Sequence, residues 1–82
     1  MTRGEAILHA QDCTIRHDAM EDRLLELEVF RQTTGLKAAE AAEQRRLWAQ
    51  HDWVERLTIE AFAQLHIIDP DACRRLRAGE MP

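Results

Sequence analysis

The sequence predicts an all-α protein, an antiparallel hairpin of two long helices followed by a short C-terminal helix. Residues 36–68 contain neither Pro nor Gly, and their apolar side chains recur at the 3.6-residue period of a helix. Residues 5–33 are equally free of helix breakers. A short turn separates these two stretches of matching length, which forces the helices to run antiparallel. We therefore predict helices at residues 5–32, 36–68 and 70–78.

The chain has 82 residues, which predicts a single domain with a marginal core. A chain of this size buries roughly 60–65% of the surface of its unfolded state. The hydrophobic fraction of 45% and the charged fraction of 32% exclude a disordered chain and are normal for a soluble helical protein. Because a lone hairpin of two helices has little interior, we expect association with a second copy or another protein.

The lack of a signal peptide and of an 18-residue apolar segment predicts a cytoplasmic protein. The net charge of −4 disfavours a generic nucleic-acid binder, which usually carries a basic field. The sequence resembles neither a signal peptide nor a membrane-spanning segment, and no membrane partner is expected. In the cytoplasm Cys13 and Cys73 are expected to be reduced thiols. A disulfide is the alternative, since the hairpin brings the two ends of the chain together.

The first helix is apolar on two sides. One side has the alternating four- and three-residue spacing of a coiled-coil seam: Cys13, His17, Met20, Leu24, Leu27 and Arg31. The roughly opposite side carries Leu8, Ile15, Ala19, Leu25, Val29 and Phe30. A helix that is apolar on two sides is normally covered on two sides, and a monomeric hairpin covers only one. This pattern predicts a homodimer, most simply a four-helix bundle.

Residues 32–35 form the predicted turn. Gly35 closes the first helix in the left-handed conformation, and Thr33 or Thr34 caps the second. Two pairs with capping-box spacing leave alternatives open. Asp18 with Glu21 allows a helix that begins only at Asp18, and Asp52 with Glu55 allows a break near His51.

The second helix has its own seam, formed by Leu47, His51, Val54, Thr58, Ala61, Leu65 and Ile68. Trp48, Ile59 and Phe62 form an adjacent surface, and Trp53 points in another direction. Two Trp on different faces exceed what one partner helix covers, and aromatic residues are typical interface anchors. After this helix Asp69 is the predicted N-cap of the short third helix, Pro70 its first residue and Gly79 its stop.

The sequence carries no motif of an enzyme, and we predict that the protein is not one. It lacks Ser, Tyr and a Gly-rich phosphate loop, and its carboxylates alternate with Arg as on solvated helix faces. His9, Cys13 and His17 are three metal-ligand types on one helical stripe. His9 and His17 would lie about 12 Å apart, too far to share one ion. A metal site would use two adjacent ligands of this stripe with others from Cys73, His66 or a second subunit. The favoured prediction is no metal and no cofactor.

Residues 58–77 resemble the helix-turn-helix of bacterial transcription regulators. Ala63 stands where a small residue lets two helices cross, and Asp69-Pro70 matches the cap before a recognition helix. The positions that match the buried ones are Phe62, Leu65, Ile68, Cys73 and Leu76. The resemblance implies that Arg74, Arg75 and Arg77 face DNA. It departs from the family at Ile67, where a Gly is usual in the turn.

The favoured interpretation is a small protein-binding module that acts through helix surfaces as an adaptor, an anti-activator or an inhibitor. Compact acidic chains of this class are typical of phage and mobile-element accessory factors. The predicted contact residues are Phe30, Trp48, Trp53, Phe62, Arg74, Arg75 and Arg77, because aromatic and Arg side chains most often dominate interfaces. The alternative is a DNA-binding regulator that uses residues 58–77.

Overall fold

The predicted fold class is confirmed. A computed structural model describes residues 1–80 and shows three α-helices and no strand within them: α1 (Arg3–Thr33), α2 (Ala38–Ile68) and α3 (Pro70–Arg77). The two long helices pack side by side as an antiparallel hairpin about 46 Å long. None of the helices in these residues is long and apolar enough to span a membrane.

Helix α1 begins two residues earlier than predicted, because Thr2 caps it. The backbone N–H of Glu5 donates to Oγ1 of Thr2 at 3.2 Å, and that hydroxyl donates to Oε1 of Glu5 at 2.9 Å. The first bond is an N-cap, and the second links the two side chains across the first turn of the helix. The helix passes through Asp18 without interruption. The alternative start at Asp18 is therefore wrong.

The turn between the long helices depends on Gly35, as predicted. Its φ of +82° lies in the left-handed region, which Gly enters without steric cost. The N–H groups of Thr34 and Gly35 donate to the carbonyl of Phe30 at 3.0 and 2.7 Å, so the last turn of α1 is hydrogen-bonded rather than frayed.

Helix α2 begins two residues later than predicted. Thr33 is still part of α1 and Thr34 is its C-cap, so neither caps α2. The N-cap is Lys37, whose backbone N–H donates to Oε1 of Glu40 at 3.0 Å. The helix continues unbroken past His51 to Ile68.

Helix α3 follows α2 after one residue, Asp69. Oδ1 of Asp69 accepts the N–H of Ala72 at 3.1 Å, and Pro70 is the first helical residue, as predicted. Nε of Arg3 donates to Oδ2 of Asp69 at 2.5 Å, which fastens the start of α1 to the junction of α2 and α3. The hydrogen bond from Arg3 holds the pKa of Asp69 below its usual value.

The core lies at the end of the hairpin where all three helices meet. Four of its seven buried members are Ala, and small side chains let the helix backbones approach closely: Ala6, Ala10, Cys13, Ala61, Leu65, Ala72 and Cys73. Ile7, Leu57, Phe62 and Leu76 pack around this cluster. Further along the hairpin, the buried residues Leu24, Leu27 and Val54 continue the two predicted seams.

Both seams are shorter than predicted at one end. Arg31 is exposed and bonds to Glu28 of its own helix through Nε and Oε2 at 2.9 Å. Ile68, the last residue of α2, is 40% exposed. The chain turns into α3 at this point, so no helix is left to cover that side chain.

Candidate functional site

One face of α1 is uncovered in the single chain. Leu8, Ile15, Leu25 and Val29 are exposed, and Leu25 keeps 66% of its surface accessible. These residues belong to the second apolar side that the sequence assigns to this helix. Neither α2 nor α3 covers it. The exposed Asp18 and Asp22 lie on the same side of the helix, so these apolar side chains are spaced contact positions rather than a continuous patch.

Helix α2 presents a second uncovered face. Trp48 is 56% exposed and Ile59 is 64% exposed. At 100° per residue the two point within about 20° of each other, so they share one stripe. Trp53 is 58% exposed and points about 140° away from Trp48. The two Trp side chains therefore lie on different faces of α2, as the sequence predicts.

Phe62 joins the α2 face to α3. Its half-buried ring packs against the core, and together with Ile59 and Arg77 it lines an open groove between α2 and α3. Phe30, in contrast, lies at the turn end of the hairpin, where it lines a shallow depression with Leu36. The structure thus brings Phe62 and Arg77 together and separates Phe30 from both.

The basic tip is partly neutralised from within α3. Arg74 and Arg75 are exposed, and both pair with the carboxylate of Asp71, Arg75 at 3.0 Å from Nε to Oδ2. Arg77 is exposed one turn further on. Exposed pairs of this kind contribute little stability. They do reduce the positive potential available for a phosphate backbone.

Residues 58–77 have the order of elements of a helix-turn-helix, a helix, a turn and a second helix. They differ from the motif in the position of the buried Ala and in the length of the turn. Leu65 and Cys73 are buried as it implies. Ala63 is exposed, however, and the buried alanines of α2 and α3 are Ala61 and Ala72. A single residue joins α2 to α3, whereas the motif uses a turn of about three or four residues.

An inter-helix ion pair joins α1 to α2 in the half of the hairpin nearer the turn. The guanidinium of Arg23 in α1 donates twice to Glu43 in α2, from Nε to Oε2 at 2.9 Å and from Nη2 to Oε1 at 2.8 Å. It also donates to Oε1 of Glu26. The hydrogen bonds from Arg23 lower the pKa of Glu43.

A second polar cluster, which was not predicted from the sequence, joins the helices nearer the core. Nε2 of His51 in α2 lies 2.5 Å from Oε1 of Glu21 in α1, and Nε2 of His17 lies 3.5 Å from the same oxygen. The hydrogen bond with His51 lowers the pKa of Glu21, and the same bond raises the pKa of His51. Trp48 lies against His51 with ring centroids 5.3 Å apart. We call His17, Glu21 and His51 the His–Glu–His cluster.

The sequence did contain a signal for this cluster. His17 and His51 are seam positions of facing helices, and Glu21 is one turn from His17. The triad that the sequence singled out, His9 with Cys13 and His17, forms no such cluster, because His17 faces Glu21 and His51 instead. Sγ of Cys13 lies 4.0 Å from the nearest ring nitrogens of His9, and burial raises the pKa of this thiol.

Residues 1–80 thus form three helices with a sparse core, two uncovered apolar faces and a polar cluster between the long helices. Comparison with protein-family models, with curated proteins and with solved structures gave no match.

Proposed function

We propose that the chain is a small non-enzymatic module that binds another protein through its helix surfaces, as an adaptor, an anti-activator or an inhibitor. The observation that supports this is the exposure of Trp48, Trp53 and Leu25, each more than half accessible. Trp is among the residues that dominate binding energy at interfaces. Burial of such a large apolar ring against a partner surface is favourable.

We further propose that a second copy covers part of this surface. The core at one end of the hairpin is built largely from Ala side chains, which bury little apolar area per residue. Pairing two hairpins along their uncovered faces gives a four-helix bundle with a continuous interior. Such a dimer suits the cytoplasm, where the two thiols, which are free, stay reduced.

The dimer predicts a concentration-dependent mass. In sedimentation equilibrium at micromolar concentration the wild-type chain is expected to have twice the mass of one copy. Leu25→Lys and Ile59→Lys each place a cation on an uncovered face and are expected to shift the protein toward the monomer. Gln64→Lys adds the same charge at an exposed polar position of α2 and is the matched control. A wild-type chain that stays monomeric at these concentrations would show that no second copy covers these faces.

The alternative function is DNA binding through α3. Exposure of Arg74, Arg75 and Arg77 on one short helix favours it. Pairing of two of these arginines with Asp71, the one-residue junction and the net charge of −4 favour the protein-binding module. A DNA-binding role requires binding that falls steeply with salt and depends on Arg74.

A further inference from the structure

Midway along the hairpin, three metal-ligand side chains from two helices converge on one point. In the His–Glu–His cluster, the ligand atoms of His17, Glu21 and His51 all lie within 4.8 Å of one another. We propose that this cluster binds one divalent transition-metal ion of the zinc class. The ligands are Nε2 of both imidazoles and one carboxylate oxygen, and a fourth position is left for water.

The spacing of the ligand atoms is close to what such an ion requires. Zinc bonds of about 2.0–2.1 Å in tetrahedral geometry place neighbouring ligand atoms roughly 3.3 Å apart. Nε2 of His17 already lies 3.5 Å from Oε1 of Glu21. The 2.5 Å separation between Glu21 and His51 is a hydrogen bond that the ion would replace. The Glu21 side chain is 48% exposed, so it is free to withdraw by the small distance needed.

The other nitrogen of each imidazole faces a carboxylate. Oδ1 of Asp18 lies 3.8 Å from Nδ1 of His17, and Oδ1 of Asp52 lies 3.8 Å from Nδ1 of His51. Metal-bound His normally donates its second N–H to a carboxylate, a carbonyl or a water, which fixes the ring orientation and the tautomer. At 3.8 Å neither carboxylate is within hydrogen-bonding distance, so each Asp would move closer or bind through a water when the ion is held by Nε2.

The helices hold the two imidazoles in place before any ion binds. His17 and His51 are seam positions on facing helices, their ring centroids are 5.7 Å apart, and their side chains are only 25% and 14% exposed. Glu21 follows His17 by one helical turn, the spacing at which one helix offers two ligands on one side. A bound ion would therefore cross-link α1 to α2. The stripe of His9, Cys13 and His17 lies on α1 alone and could not do so.

The test is a titration of the full-length chain at neutral pH with Zn²⁺, and in parallel with Co²⁺ as a spectroscopic probe. Calorimetry is expected to give one ion per chain. His17→Ala and His51→Ala are each expected to weaken binding by more than ~100-fold, beyond the 10–100-fold that outer partners of a ligand typically contribute. His9→Ala and His66→Ala remove exposed histidines outside the cluster and are expected to leave the affinity unchanged.

Trp48 supplies an independent readout, because it lies against His51. In a Trp53→Phe background, Co²⁺ is expected to quench the fluorescence of Trp48 with the same affinity.

If an Ala variant loses helical circular dichroism, Glu21→Gln replaces it, because this change keeps the shape of the side chain and removes the anionic ligand. Wild-type protein with no saturable binding below about 100 µM would overturn the proposal. Binding that is lost with Cys13→Ala or His66→Ala but kept with Glu21→Gln would also overturn it.

Discussion

Leu27→Ala is expected to lower the free energy of unfolding by about 2–5 kcal/mol. Leu27 is fully buried in the seam between α1 and α2, where the chain has few other large apolar side chains to fill a cavity. The measurement is urea denaturation followed by circular dichroism, extrapolated linearly to water. It is made at a protein concentration low enough for the chain to be monomeric, so that dimer dissociation does not contribute.

Leu25→Ala is the matched control, since it removes the same atoms from the same helix two residues away. Leu25 is 66% exposed, and surface substitutions of this kind usually change stability by less than about 0.5 kcal/mol. Equal losses in the two variants would contradict the assignment of the seam. A loss below about 1 kcal/mol for Leu27→Ala would do the same.

Ala10→Leu is expected to destabilise the protein by about 1–3 kcal/mol through overpacking. Ala10 is fully buried in the cluster where the three helices meet. A longer side chain there forces the helix backbones apart, and the other alanines of the cluster then lose contact as well. The same urea denaturation measures the effect.

Ala19→Leu is the control for this variant. Ala19 is exposed on α1, and Leu has nearly the same helix propensity as Ala. We expect almost no change in monomer stability. If Ala10→Leu left the free energy of unfolding unchanged, the close approach of the helices at this point would be wrong.

The apolar periodicity of the sequence was sufficient to predict the two long helices. The residues at which they begin and end were harder to predict. The period of apolar residues and the absence of breakers define α1 and α2, because they act over many residues at once. The boundaries depend on single hydrogen bonds. Thr2 extends α1 toward the N-terminus, and Glu40 allows Lys37, a residue with no ordinary capping side chain, to stand at the start of α2.

Some features of the candidate surfaces were predictable from the sequence and others were not. The second apolar side of α1 could be predicted from spacing alone, and the structure confirms that the single chain leaves Leu25 uncovered. Which of the predicted contact residues lie near one another depends on the packing of α3, so the separation of Phe30 from Phe62 was not evident. The contact between His17 and His51 was not predicted, because it depends on the register between α1 and α2, which the sequence pattern does not define.

The most direct test of the proposed function is capture of protein from the native host with the tagged chain, with and without nuclease. We predict one protein at near-stoichiometric yield whose capture survives nuclease. Trp48→Ala and Trp53→Ala are expected to reduce the yield by about tenfold or more. Gln50→Ala, an exposed polar position between them, is expected to leave it unchanged. Capture that disappears with nuclease, or that is indifferent to both Trp, would contradict the assignment of this chain as a protein-binding module.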